Sequence, residues 1–117
     1  MNAMAPGTNP RDLLTPAALH ILLSVATEAR HGYGIKHAVE ARTEGALSLG
    51  PGTLYEAIHR MANDGWLEEV EGGGRRRVYR ITSLGLGVLD DELRRLDEIV
   101  SFARGAALLP EPRVRTT

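Results

Sequence analysis

The chain reads as a mainly α domain with one small β-hairpin (α+β), and three features predict it. Apolar residues recur at helical spacing through four stretches, each bracketed by a cap residue, a proline or a glycine. A single glycine-rich turn, Glu71-Gly72-Gly73-Gly74, joins two short strand-like runs, Trp66 to Val70 and Arg77 to Ile81. With 117 residues, 43% hydrophobic and 25% charged, the chain has the size of one compact domain and enough apolar content to avoid global disorder.

The elements follow in order. Residues 1–12, rich in Ala, Pro, Gly and Asn, read as a flexible arm. Thr15-Pro16 supplies an N-cap hydroxyl and a proline at the first helical position. From Ala17 to Ala29 the stretch is apolar around most of its circumference, as in a helix buried on several sides. His31-Gly32 is expected to end it, with glycine as a left-handed stop. A second helix runs from about Tyr33 to Glu44, turning Ile35, Ala38 and Val39 inward, and Gly45 closes it. Leu47-Ser48-Leu49 has room for no more than an edge strand. Gly50-Pro51 opens a third helix that reaches about Asp64, with Gly65 as its stop. The hairpin comes next, and Thr82 caps a last helix to about Leu108; residues 110–117 read as a frayed tail. Helix, helix, short strand, helix, hairpin, helix is the order of a winged helix-turn-helix (13–82) with an added long C-terminal helix (83–109).

Composition narrows the function. No cysteine is present, so disulfides, thiolate metal sites and cysteine nucleophiles are excluded. No stretch approaches a membrane span and no signal-like start is seen, so a cytoplasmic location is expected. His20, His31, His37 and His59 lack metal-ligand spacing, and no Ser, His and acid suggest a hydrolase; a non-enzyme without cofactor or metal is expected. Net charge is −1, but four arginines and no acid lie between Gly72 and Arg80, and a local field is what a phosphate backbone meets.

The third helix carries the first candidate surface. On a helical wheel Leu54, Ile58 and Met61 share one face, bordered by Ala62 and Tyr55. Gly52, Thr53, Glu56, His59, Arg60 and Asn63 occupy the other, with donors and acceptors suited to base edges and phosphates. A plain solvated face is the alternative reading of this helix alone. Gly72-Gly73-Gly74 followed by Arg75, Arg76 and Arg77 favours nucleic acid, because guanidinium groups at a hairpin tip suit a minor groove or phosphates. No Gly-Lys-Ser/Thr follows those glycines, so a nucleotide-binding P-loop does not fit.

At these residues the chain resembles the PadR-type transcriptional regulators. The resemblance rests on Tyr33-Gly34-Ile35, on Gly52-Thr53-Leu54-Tyr55 with Arg60-Met61 and Asp64-Gly65, and above all on Gly73-Gly74-Arg75-Arg76-Arg77-Val78-Tyr79-Arg80-Ile81-Thr82 followed by Gly85. It covers roughly Leu13 to Gly85; the last helix fits the family in shape rather than in letters. It implies a recognition helix in the major groove of double-stranded DNA and an arginine-rich wing. By the family pattern Thr53, Tyr55, Arg60, Arg75 and Arg76 face DNA, and the wheel adds His59 and Asn63. Tyr55 is equally a candidate for packing. Gly50 stands where a polar N-cap is expected, and Glu56 would repel phosphate unless it reads a cytosine amino group.

In the last helix Leu86, Leu89, Leu93, Leu96, Val100, Ala103 and Ala107 keep a 3-4 spacing, the stripe of a coiled-coil seam. Val88, Ile99 and Phe102 widen it beyond what so small a domain covers alone, so a homodimer is expected. Acid-to-base pairs at i,i+4 are expected between Asp90 and Arg94 and between Asp91 and Arg95. Some PadR-like proteins admit aromatic molecules at that interface between tryptophans, but the sole tryptophan here is Trp66, expected in the core. The resulting expectation is a PadR-like repressor on a near-palindromic operator, released by an unidentified signal that includes the possibility of a small-molecule effector. The rival is a winged-helix protein–protein module whose arginines bind an acidic partner.

Overall fold

The structure, a computed structural model, describes residues 14–70 and 77–112. Its elements are α1 (Pro16–Ala26), β1 (Arg30–His31), α2 (Gly32–Arg42), α3 (Pro51–Asn63), β2 (Leu67–Val70), β3 (Val78–Ile81) and α4 (Ser83–Gly105). The three strands form one antiparallel sheet in the order β1-β3-β2. The expected arm and tail, and the hairpin tip with Arg75 and Arg76, fall outside the described residues save for 110–112.

Local chemistry sets the boundaries. Thr15 caps α1 by accepting the Ala18 N–H at 3.0 Å, with Pro16 at the first helical position. Thr82 caps α4 by accepting the Gly85 N–H at 3.0 Å. Gly65 (φ 84°) and Gly45 (φ 82°) take the left-handed conformation expected after α3 and α2. Gly50 starts α3 with no side-chain cap, and Pro51 takes the position where an N–H has no helical partner.

Four expectations are corrected. The first helix stops at Ala26 rather than Ala29, and Gly32 is not its left-handed stop. Instead Arg30–His31 forms the short strand, and His31 caps α2 through Nδ1, which accepts the Gly34 N–H at 3.1 Å. Leu47 to Leu49 forms no strand, because the edge of β3 opposite β2 is taken by β1 in the register Arg30↔Tyr79 and His31↔Val78. The last helix ends at Gly105, and Ala107 sits beyond it in a left-handed turn (φ 61°), so it is not part of a helical seam. Arg95 pairs with Glu92 one turn back instead of Asp91, while Arg94 does hold Asp90 at 2.7 Å.

The core lies where the helices meet the sheet. Ile21, Leu22 and Val25 of α1, Ile35 and Val39 of α2, and Leu54, Ile58 and Met61 of α3 are all buried. Trp66, Leu67, Tyr79 and Ile81 close it from the hairpin side, and Val88 and Leu89 from the first half of α4. Trp66 therefore packs as expected. Leu89, expected in the intermolecular seam, is spent on the chain's own core at 4% exposure. Glu92 is also buried, and hydrogen bonds from Arg95 at 3.0 and 2.6 Å hold its carboxyl below the ordinary range against the opposing effect of burial.

Candidate nucleic-acid interface

Helix α3 separates its two faces cleanly. Leu54, Ala57, Ile58 and Met61 enter the core, while Gly52, Thr53, Tyr55, Glu56, His59, Arg60 and Asn63 are all exposed. Thr53 and Asn63 stand ten residues apart, about 15 Å along the axis at about 1.5 Å per residue. The α1–α2 packing and the sheet fix this helix from behind, leaving its polar stripe on an outer surface. Among the described residues, an added Cβ at Gly50 or Gly52 would meet no atom within 4 Å outside the neighbouring backbone.

Beside this stripe the hairpin contributes Arg77, while the exposed Arg80 alternates with the buried Tyr79 and Ile81 on the other face of β3. Cross-strand pairing places Glu68 opposite Arg80, while Glu69, opposite Tyr79, lies diagonal to Arg77. Arg80 holds Glu68 (Nη2–Oε2 2.5 Å), and Arg77 approaches Glu69 at 3.8 Å. The basic run visible in the sequence is thus partly balanced at the hairpin base by acids of β2. Burial, followed by the nearby Glu69 carboxylate, raises the Tyr79 phenol above its ordinary pKa, and the Arg77 guanidinium opposes that shift.

Between α3, β3 and the first turn of α2 lies an open concavity of about 520 Å³. Tyr55, His59 and Arg77, all singled out from the sequence, meet there; His31, Gly32, Tyr33 and Tyr79 join them and were not assigned to a site from the sequence. Tyr55 is half-exposed and its ring lies over Gly32, where an added Cβ would come within 2.5 Å of the hydroxyl. It serves packing and surface at once. The signal that could have found Tyr33 was present in the Tyr33-Gly34-Ile35 match, but only folding brings α2 beside the hairpin.

On α4 the expected seam residues divide. Leu86 and Leu93 are exposed, Leu96, Val100 and Ala103 are half-buried, and Leu89 is internal. Ile99 and Phe102 are 52% and 72% exposed, so the second half of the helix carries an uncovered apolar face. Among the described residues no group of three or more His, Asp or Glu could hold a metal, and no helix is long and apolar enough to cross a membrane.

Two helices set against a three-stranded sheet, an exposed polar third helix and a hairpin at its side define a winged helix-turn-helix protein. Residues 21–91 match the family model described as the transcriptional regulator PadR-like family. The transcriptional regulator Rv3488 of Mycobacterium tuberculosis is 36% identical over 90 residues, which span 74% of this chain and 81% of that relative. RosR of H. salinarum is 28% identical, with a TM-score of 0.62 over 86% of this chain and 100% of that one. A PadR family transcription regulator from Clostridium difficile shares the fold at a TM-score of 0.66 and 19% identity, over 80% of this chain and 99% of that one. The chain belongs to the PadR-like family of transcriptional regulators. That family consists of winged-helix DNA-binding regulators, not enzymes.

Proposed function

We propose that the protein is a PadR-type repressor that binds operator DNA as a homodimer and leaves it on an unidentified signal. The observation that carries this is the stripe on α3: Thr53, His59, Arg60 and Asn63 are exposed together on a helix whose opposite side is locked into the core. Its length of about 15 Å matches about four base-pair steps of about 3.4 Å each. In this reading Thr53, His59 and Asn63 read base edges, Gly52 allows close approach, and Arg60 and Tyr55 hold the flanks. Arg75, Arg76 and Arg77 clamp phosphates or enter the minor groove from the wing. The exposed parts of α4, chiefly Leu86, Leu93, Leu96, Val100 and Ala103 with Ile99 and Phe102, join two copies. Two recognition helices about one helical turn apart then require a near-palindromic site.

The test is a fluorescence-anisotropy titration of the protein against its own upstream DNA and against a scrambled duplex of equal length. Specific binding should exceed nonspecific binding by about a thousandfold or more, with an affinity that falls steeply with salt. Thr53→Ala and His59→Ala should change sequence preference, whereas Arg75→Ala with Arg76→Ala should weaken binding to every duplex alike. Equal affinity for both duplexes would replace the repressor reading with that of a winged-helix assembly module.

A further inference from the structure

We propose that the concavity between α2, α3 and β3 seats one backbone phosphate of the duplex in each half-site. The proposal rests on the DNA-binding reading above and extends it to Tyr33 and Tyr79, which that reading leaves without a role.

The chemistry of the lining suits a phosphodiester. The Arg77 guanidinium, the phenols of Tyr33 and Tyr55, the nearly buried Tyr79 and the imidazoles of His31 and His59 line it, and among the described residues no carboxylate does. Phosphate oxygens accept hydrogen bonds only, so neutral donors around one cation match a monoanion. Among the described residues the competitor is Glu69, whose 3.8 Å approach to Arg77 exceeds hydrogen-bond distance between two exposed side chains. Such a pair is weak enough for a phosphate to displace.

A second observation concerns Tyr33. It is 59% exposed, yet its ring stacks on His31 at 6.3 Å and receives His37 edge-on at 4.2 Å. Fixing a solvent-facing phenol costs side-chain freedom that burial does not return here. Gly32 contributes by absence, since any Cβ would drive the Tyr55 ring from its place. The concavity is too open to enclose most of a drug-sized molecule, whereas a duplex phosphate needs only one face. Its shared residues Tyr55 and His59 make it continuous with the reading stripe of α3.

The experiment is a scan of the upstream duplex with single neutral methylphosphonates, titrated with the full chain and with the Arg77→Gln and Tyr33→Phe variants. Both side chains are exposed, so folding should be unaffected. At one position per half-site the wild type should lose about tenfold in affinity, and Arg77→Gln should lose less than about twofold from the same replacement. The salt slope of Arg77→Gln should fall by about one. Gly32→Ala, with an unchanged circular dichroism spectrum, should show the same insensitivity at that position. If wild type and variants respond alike at every position while the wild type still prefers its own duplex, this site is overturned and the DNA-binding reading stands. Absence of duplex preference in the wild type would remove both. In a further arm, sodium phosphate should raise the melting temperature no more than sodium chloride of equal ionic strength. A phosphate-specific rise lost in Arg77→Gln would assign the site to a free phosphate-bearing molecule instead.

Discussion

Gly85 shows how much one missing carbon can decide. A Cβ there would lie 2.2 Å from the Trp66 carbonyl oxygen and 2.9 Å from Ile81 Cγ1. That carbonyl is already fixed by the Thr82 N–H at 3.0 Å, and Thr82 in turn donates its hydroxyl to the Gly65 carbonyl at 2.5 Å. Backbone cannot step aside as a flexible side chain can. Gly85→Ala should therefore cost about 3 kcal/mol or more and lower the melting temperature by about 10 °C in a thermal denaturation scan. Glu56 poses the opposite kind of question, because it costs the fold nothing. It is exposed within the polar stripe of α3. Glu56→Gln should tighten binding to all duplexes by several-fold at low salt, with sequence preference unchanged, as anisotropy against paired duplexes would show.

Among elements, the contact of α1 with α2 is secured by charge as well as by Ile21, Val25, Ile35 and Val39. Arg42 of α2 reaches the end of α1, donating to the His20 carbonyl at 2.9 Å, to Ser24 Oγ at 3.0 Å and to His20 Nδ1 at 3.4 Å. Ser24 Oγ itself donates to the His20 carbonyl, and Arg30 covers the Ser24 carbonyl. The imidazole must be neutral to accept from Arg42. Partial burial and then the Arg42 charge hold its pKa below the ordinary 6.5. A depressed folded-state pKa means that the contribution is intact above pH 6.5 and is lost as pH falls from there through the folded value. Urea unfolding at pH 7.5 and pH 5 should show a fall in stability that is smaller in His20→Asn, which keeps an acceptor but takes up no proton. The hairpin is the other element where charge matters. Its pairs of Glu68 with Arg80 and Glu69 with Arg77 are exposed and add little stability, but they lower the field at the base of the wing.

At the scale of the whole molecule, α4 does two jobs with its two halves. Val88, Leu89 and Gly85 bind the first half to α1, Trp66 and β3, so the helix leaves the body in a fixed direction. The second half presents Ile99 and Phe102 to solvent. Large apolar side chains in a row on a free helix favour burial against another surface, and a second copy supplies one of matching character. If the homodimer proposed above forms through this face, Ile99→Asp with Phe102→Asp should leave only monomers in sedimentation analysis. Specific DNA affinity should fall by about a hundredfold or more as the second half-site is lost. The monomer's own secondary structure should persist, because neither side chain belongs to the core.

The sequence by itself determined the order of the four helices and the hairpin, the helix starts at Thr15-Pro16, Gly50-Pro51 and Thr82, and the polar and apolar faces of α3. Those signals act within one or two turns of helix, where spacing and capping chemistry are written in neighbouring residues. The positive-φ stops at Gly45 and Gly65 belong to the same local grammar. Only the tertiary structure placed the short strand at Arg30–His31 rather than at Leu47–Leu49, since a two-residue strand exists through its partner β3 and has no pattern of its own. Only the structure set Glu68 and Glu69 against Arg80 and Arg77, because hairpin register joins residues that the linear order keeps apart. The stripe of α4 reads as uniform in sequence, yet Leu89 goes to the chain's own core while Leu86 and Leu93 face solvent. Helical period records that a face is apolar. What lies opposite each residue of that face is decided by the packing of the other elements.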